Sequence, residues 1–108
     1  MKLKLFTLLL VLVSSDCFSQ ETSCTSAAIT QAKKLIAFHS DGDERAQADS
    51  VAKTLPSITN PANKKQKFTV LEVKGFVYKA NYRMRFIYYK EGGSCTLMGQ
   101  EILELSSL

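Results

Sequence analysis

Apolar and polar positions change rhythm three times along the chain. Residues 5–13 are almost unbroken apolar, from Leu5 to Val13. Ser26 to Phe38 then spaces Ile29, Ala32 and Ile36 three or four apart, the period of an amphipathic helix. Ser40-Asp41-Gly42-Asp43 interrupts it with turn formers. Glu44 to Leu55 resumes the helical spacing through Ala48, Val51, Ala52 and Leu55, with Asp43 as cap and Pro56 as stop. The N-terminal half is therefore expected to hold two short helices, or one long helix kinked near Gly42.

After the polar stretch 59–65 the composition turns β-branched and aromatic. Three strands are expected, at about 67–78, 82–90 and 95–105. Lys79-Ala80-Asn81 makes the first turn. Glu91-Gly92-Gly93-Ser94 makes the second, because its glycines tolerate positive φ. Gly75 inside the first strand suggests a bulge or bend. In the middle strand Tyr82, Met84, Phe86 and Tyr88 share one face, and Arg83 and Arg85 share the other. The apolar row should pack on helix and the arginines should meet water. In the last strand Cys95, Leu97, Leu103 and Leu105 are expected on one side, and Met98 and Ile102 on the other. The fold class that follows is α+β: one or two N-terminal helices on a three-stranded antiparallel meander.

The first apolar run changes what counts as the mature chain. Lys2 and Lys4 precede it, and it is far shorter than the ~20 residues that span a bilayer. Small residues follow, with Cys17 and Ser19 suited to the positions before a cut. Residues 1–19 thus read as a secretory signal peptide and 20–108 as one exported domain. Asp16 before Cys17 disfavours a lipid anchor, and no later stretch is apolar enough for stable membrane insertion. The expected location is extracellular, or periplasmic in a bacterium.

Removing residues 1–19 leaves two cysteines, Cys24 and Cys95, of the three in the chain. In an oxidising compartment such a pair reads as a disulfide. No Cys-x-x-Cys accompanies them, so a redox role has no sequence support.

Catalytic and metal readings find little to work with. His39 is the one histidine, and it sits beside Asp41 and Asp43 at a helix end, where capping or solvation explains it. No phosphate-binding glycine loop is present, and with the cysteines paired a zinc site lacks ligands. Glu101 and Glu104 point to opposite faces of a strand, which suits no acid–base pair. No enzyme, cofactor or metal is expected.

Charge is more informative. Residues 64–90 carry eight basic side chains against Glu72 alone, whereas 91–108 carry three acidic and no basic ones. Lys74, Arg83 and Arg85 would form a basic face able to attract polyanions or anionic membranes. The plain alternative is a solvated face whose cations guard a strand edge. Nucleic acid is not expected, because the interleaved aromatics should face the core and the chain is exported.

The stretch Phe68-Thr-Val-Leu-Glu-Val-Lys runs into a hairpin rich in Val and Tyr that contains Asn81-Tyr82, and a Cys opens the next strand. With an exported small chain and a helix ahead of antiparallel strands, residues 43–105 resemble the cystatin family. That resemblance implies a non-catalytic binding protein, and cystatins inhibit papain-like cysteine peptidases with an N-terminal Gly segment, a Gln-x-Val-x-Gly hairpin loop and a Pro-Trp loop. Gly75-Phe-Val-Tyr-Lys79 falls at the hairpin motif, with only Val77 matching. The chain has no Trp, and no Gly lies between Gln20 and Ser40. The expectation is a diverged cystatin-like protein that binds another protein, a papain-like peptidase being one candidate. Its contact would be the hairpin loop Tyr78, Lys79, Ala80 and Asn81.

Overall fold

The computed structural model describes residues 24–105. The expected signal peptide, residues 1–19, lies outside these. The elements are α1 (Thr25–His39), β1 (Ala46–Asn60), β2 (Asn63–Val77), β3 (Ala80–Glu91) and β4 (Ser94–Leu105). The strands form one antiparallel sheet in the order β1-β2-β3-β4, with α1 on one face.

Two expectations are corrected at once: the sheet has four strands rather than three, and the single helix ends at His39 instead of continuing toward Leu55 as a second helix or beyond a kink near Gly42. Glu44–Leu55, with its helical spacing, lies largely in β1. The register explains the deception. Ala48 pairs with Gly75 and Ala52 with Val73, so four residues of β1 span two of β2. This irregularity makes Ala48 and Ala52, four apart in sequence, successive positions on the helix side, where a regular strand would place successive positions two apart. The spacing that imitates a helix is the signature of a strand with extra residues. A second shift, between Leu55 and Ile58, surrounds Pro56, which has no N–H to give a ladder and suits an edge strand.

The helix approaches the sheet through small side chains. Cys24, Ala28, Ala32 and Ile36 repeat every four residues and are all but fully buried. They meet Leu71 and Val73 of β2 and Tyr82, Met84, Phe86 and Tyr88 of β3. The apolar row expected on the middle strand is therefore the core. Gly75 is a close-approach residue rather than a bulge in its pairing with β3. It stays in unbroken register there, and a Cβ on it would lie 2.8 Å from Met84 Cε and 3.1 Å from Ile36 Cδ1.

A reversal of the chain closes the helix. Gly42 N–H donates to Ala37 O (2.8 Å) and Asp41 N–H to Phe38 O (3.2 Å), while Asp41 takes φ 61°. This is the two-bond C-terminal cap that usually employs glycine at the left-handed position. At the other end Cys24 and Cys95 form the expected disulfide, with Cα atoms 5.8 Å apart across 71 residues of sequence. It ties the start of α1 to the start of β4.

β4 also departs from simple alternation. Its pairing with β3 skips Met98, since Ile87 faces Gly99 and Tyr88 faces Leu97. Cys95 and Leu97 therefore share the helix side with Ile102, while Leu103 moves to the opposite face. The expected grouping of Leu97 with Leu103 fails for this reason.

Candidate functional site

The meander puts its turns at two ends. The turns β1–β2 and β3–β4 lie at one end, and the α1–β1 loop and the β2–β3 turn lie at the other. Pairing of Ala46 with Val77 and of Val77 with Ala80 brings the latter two loops side by side. Tyr78 and Lys79 form the turn. Ala80 and Asn81, expected in the same loop, are the first residues of β3 instead.

Tyr78 is the unusual residue of this end. Its φ is 57°, a conformation that disfavours a bulky side chain, yet the residue is 67% exposed. Strain of this kind is on the order of 1–3 kcal/mol, and here burial does not compensate it. Two cations lie over the ring: Arg45 Cζ at 4.8 Å from its centre and Lys79 Nζ at 5.5 Å. Exposed cation–π contacts contribute about 0.5–1 kcal/mol each.

Asp43 sets Arg45 in place. Arg45 Nε donates to Oδ1 (3.0 Å), Nη2 to Oδ2 (2.8 Å), and the backbone N–H of Arg45 to Oδ1 (2.8 Å). These bonds, led by the guanidinium, lower the Asp43 pKa to about 2 and raise that of Arg45. The result is a preformed tip: a carboxylate holds an arginine, and the arginine lies on an outward aromatic ring. Nearby, His39 packs edge-on against Tyr82 with ring centres 5.2 Å apart, which gives the histidine a structural role.

The residues of the expected basic face share one side of the sheet, with two of them half-buried and paired to carboxylates. Lys74, Arg83 and Arg85 point away from the helix, as the register with β2 and β4 requires. Arg85 Nε donates to Glu72 Oε1 at 2.8 Å, and Glu72 is almost buried. Arg83 Nη2 lies 3.8 Å from Glu101 Oε2, while Arg83 Nε is buried without a hydrogen-bond partner among the described residues. Lys74 is exposed. The three residues lie on one face but not with the Tyr78 turn in a single site.

The same bare face carries a feature that sequence reasoning missed. Ile58, Val70, Ile87 and Gly99, with Arg85 and Glu101, line an open groove of about 410 Å³. The register shifts of β1 near Pro56 and of β4 at Met98 flank it. The roles of Arg45 and Asp43 were also missed, because the helical reading of residues 44–55 hid the strand that begins at Ala46 and brings the loop carrying Arg45 beside the turn. The turn formers 40–43 were the available signal.

Among the described residues no three His, Cys, Asp or Glu side chains converge on a metal-sized site. No described helix is long and apolar enough to cross a membrane. The Cys24–Cys95 disulfide is compatible with an extracellular location. Comparison with protein-family models, curated proteins and solved structures finds no match.

Proposed function

We propose that this chain is a secreted, non-catalytic binding protein that grips another protein with the Tyr78 tip. The observation that carries the reading is Tyr78 itself: exposed, strained, and preset between Arg45 and Lys79. Tyrosine and arginine are the residues that dominate protein contacts, because they bring area and directional bonds at low entropic cost. A ring flanked by cations suits an apolar slot rimmed by carboxylates. The leader-like residues 1–19 and the disulfide both support secretion.

The cystatin-like resemblance nominates a papain-like peptidase as partner, and the described fold qualifies how. A helix ahead of an antiparallel meander fits that resemblance. But β1 adds a hairpin before the one that contains Tyr78. The 78–79 turn then lies opposite the β3–β4 turn and opposite Cys24, where the chain leads into α1. An N-terminal segment and two hairpin loops acting together would sit at the Cys24 end, not at Tyr78. The tip reading therefore rests on its own geometry.

The cationic-surface alternative is weakened by the ion pairs of Arg83 and Arg85. It retains the exposed Lys64, Lys65, Lys67 and Lys74.

The test is titration of oxidised 20–108 protein against a papain-like peptidase at low and moderate salt. Stoichiometric inhibition that survives salt and is lost in Tyr78→Gly supports the tip. Inhibition that survives Tyr78→Gly but disappears when Pro61 and Ala62 are replaced by glycine moves the site to the opposite end. No inhibition removes the peptidase as partner. Binding to heparin or anionic vesicles that falls steeply with ionic strength would instead favour the cationic surface.

A further inference from the structure

The sheet has two outer strands, and they are protected very differently. β1 is interrupted by register shifts at three places, contains Pro56, and exposes Lys53. Each feature obstructs an incoming strand. β4 has none of these beyond Met98. From Gly99 to Leu105 it pairs with β3 residue for residue, and no strand pairs with its outer edge among the described residues. Its alternate backbone N–H and C=O groups are directed outward by the geometry of an antiparallel ladder. β4 also carries three of the exposed large apolar side chains: Leu97, Met98 and Leu103.

We infer that two copies of this chain pair edge to edge through β4, antiparallel about a two-fold axis at Ile102, to form one eight-stranded sheet. The register follows from two constraints. Ile102 is the midpoint of the regular run Gly99–Leu105, so this axis overlaps the two runs completely. It also sets Glu101 opposite the partner's Leu103 and Gln100 opposite the partner's Glu104, so that no carboxylate lies directly opposite another. An axis at Glu101 would stack that carboxylate on itself, which like-charge pairing disfavours.

The same register supplies something Arg83 lacks. Arg83, Leu103 and the partner's Glu101 then lie in one row on the bare face. Arg83 holds its own Glu101 only at 3.8 Å and has a buried Nε with no hydrogen-bond partner among the described residues. The partner's Glu101 adds a second carboxylate to that row. Pairing β4 to β1 instead would be head-to-tail and open-ended, and the interruptions of β1 oppose it. The symmetric pairing closes after two copies.

Sedimentation equilibrium of the oxidised 20–108 protein tests this, with cysteine cross-linking to fix the register. The expected result is a dimer that dissociates on dilution. Met98→Lys with Leu103→Lys should raise its dissociation constant at least tenfold while the far-ultraviolet circular dichroism stays unchanged. Ile102→Cys should give a covalent dimer on mild oxidation, because the two-fold axis sets residue 102 against itself. Thr96→Cys should not. A chain that stays monomeric at several hundred micromolar overturns the inference. So does equal cross-linking at 96 and 102, or a dimer indifferent to both lysines. Binding of an extended peptide of another protein to a strictly monomeric chain would assign the β4 edge to a different partner and equally refute it.

Discussion

Phe86 and Tyr78 lie on the same β2–β3 hairpin, about eight residues apart, and do opposite things. Phe86 is fully buried beneath α1, in a β-strand conformation, among Leu71, Met84 and the alanines of the helix. Tyr78 is turned outward at a positive φ with Arg45 and Lys79 over its ring. The first residue is explained by burial, which contributes roughly 1.5–3 kcal/mol for a large apolar side chain. The second buries little and is strained, so stability does not explain it. The contrast divides the molecule into a body that holds the fold and a tip that the body presents.

The division predicts a graded set of responses. The largest belongs to the body. Phe86→Ala should destabilise by about 3–5 kcal/mol, read as a shift of the urea unfolding midpoint at constant slope. For a domain this small, such a loss leaves little folded protein. A shift below about 1 kcal/mol would mean that α1 does not pack tightly on the sheet.

Removing the staple comes next. Cys24→Ser with Cys95→Ser opens a loop of about 70 residues, worth roughly 4 kcal/mol in the chain-entropy model. The helix start should loosen first, so amides of 25–30 should exchange faster than those of β2 and β3 in hydrogen-exchange measurements.

Gly75→Val is smaller. The added atoms run into Met84 Cε and Ile36 Cδ1, and overpacking of this kind costs about 1–3 kcal/mol. Thermal unfolding should register it, with the far end of Met84 absorbing part of the conflict.

The smallest perturbation is protonation at the tip. Asp43, held near pKa 2 by its bonds to Arg45, has a folded value below its unfolded one. Whatever the contact contributes is therefore present above about pH 4 and lost as pH falls through about 2. Titration of the Asp43 carboxyl by NMR should show a midpoint near 2. A midpoint near 4 would mean that Arg45 does not hold it.

What could be read from the chain, and what could not, follows the same physical line. The middle strand was legible because Tyr82, Met84, Phe86 and Tyr88 alternate strictly with Arg83, Arg85 and Ile87, and β3 has no irregularity in its pairing with β2. The disulfide was legible because reading residues 1–19 as a leader leaves two cysteines, Cys24 and Cys95. β1 was not legible: the extra residues between Ala48 and Ala52 convert a two-residue period into a four-residue one, and pairing with β2 overrides the local preference. Met98 did the same in β4 by reversing the faces beyond it. Of the candidate site, Tyr78 and Lys79 were visible as turn residues, but the arginine across the loop was not. Its position depends on β1 being a strand, which is a tertiary fact.

Urea unfolding of Tyr78→Gly against the unaltered protein separates a contact role for Tyr78 from a structural one. Glycine accepts the positive φ freely and forfeits only exposed cation–π contacts. The midpoint should equal or exceed that of the unaltered protein. A loss of more than about 2 kcal/mol, beyond what the two contacts supply together, would make Tyr78 a structural residue.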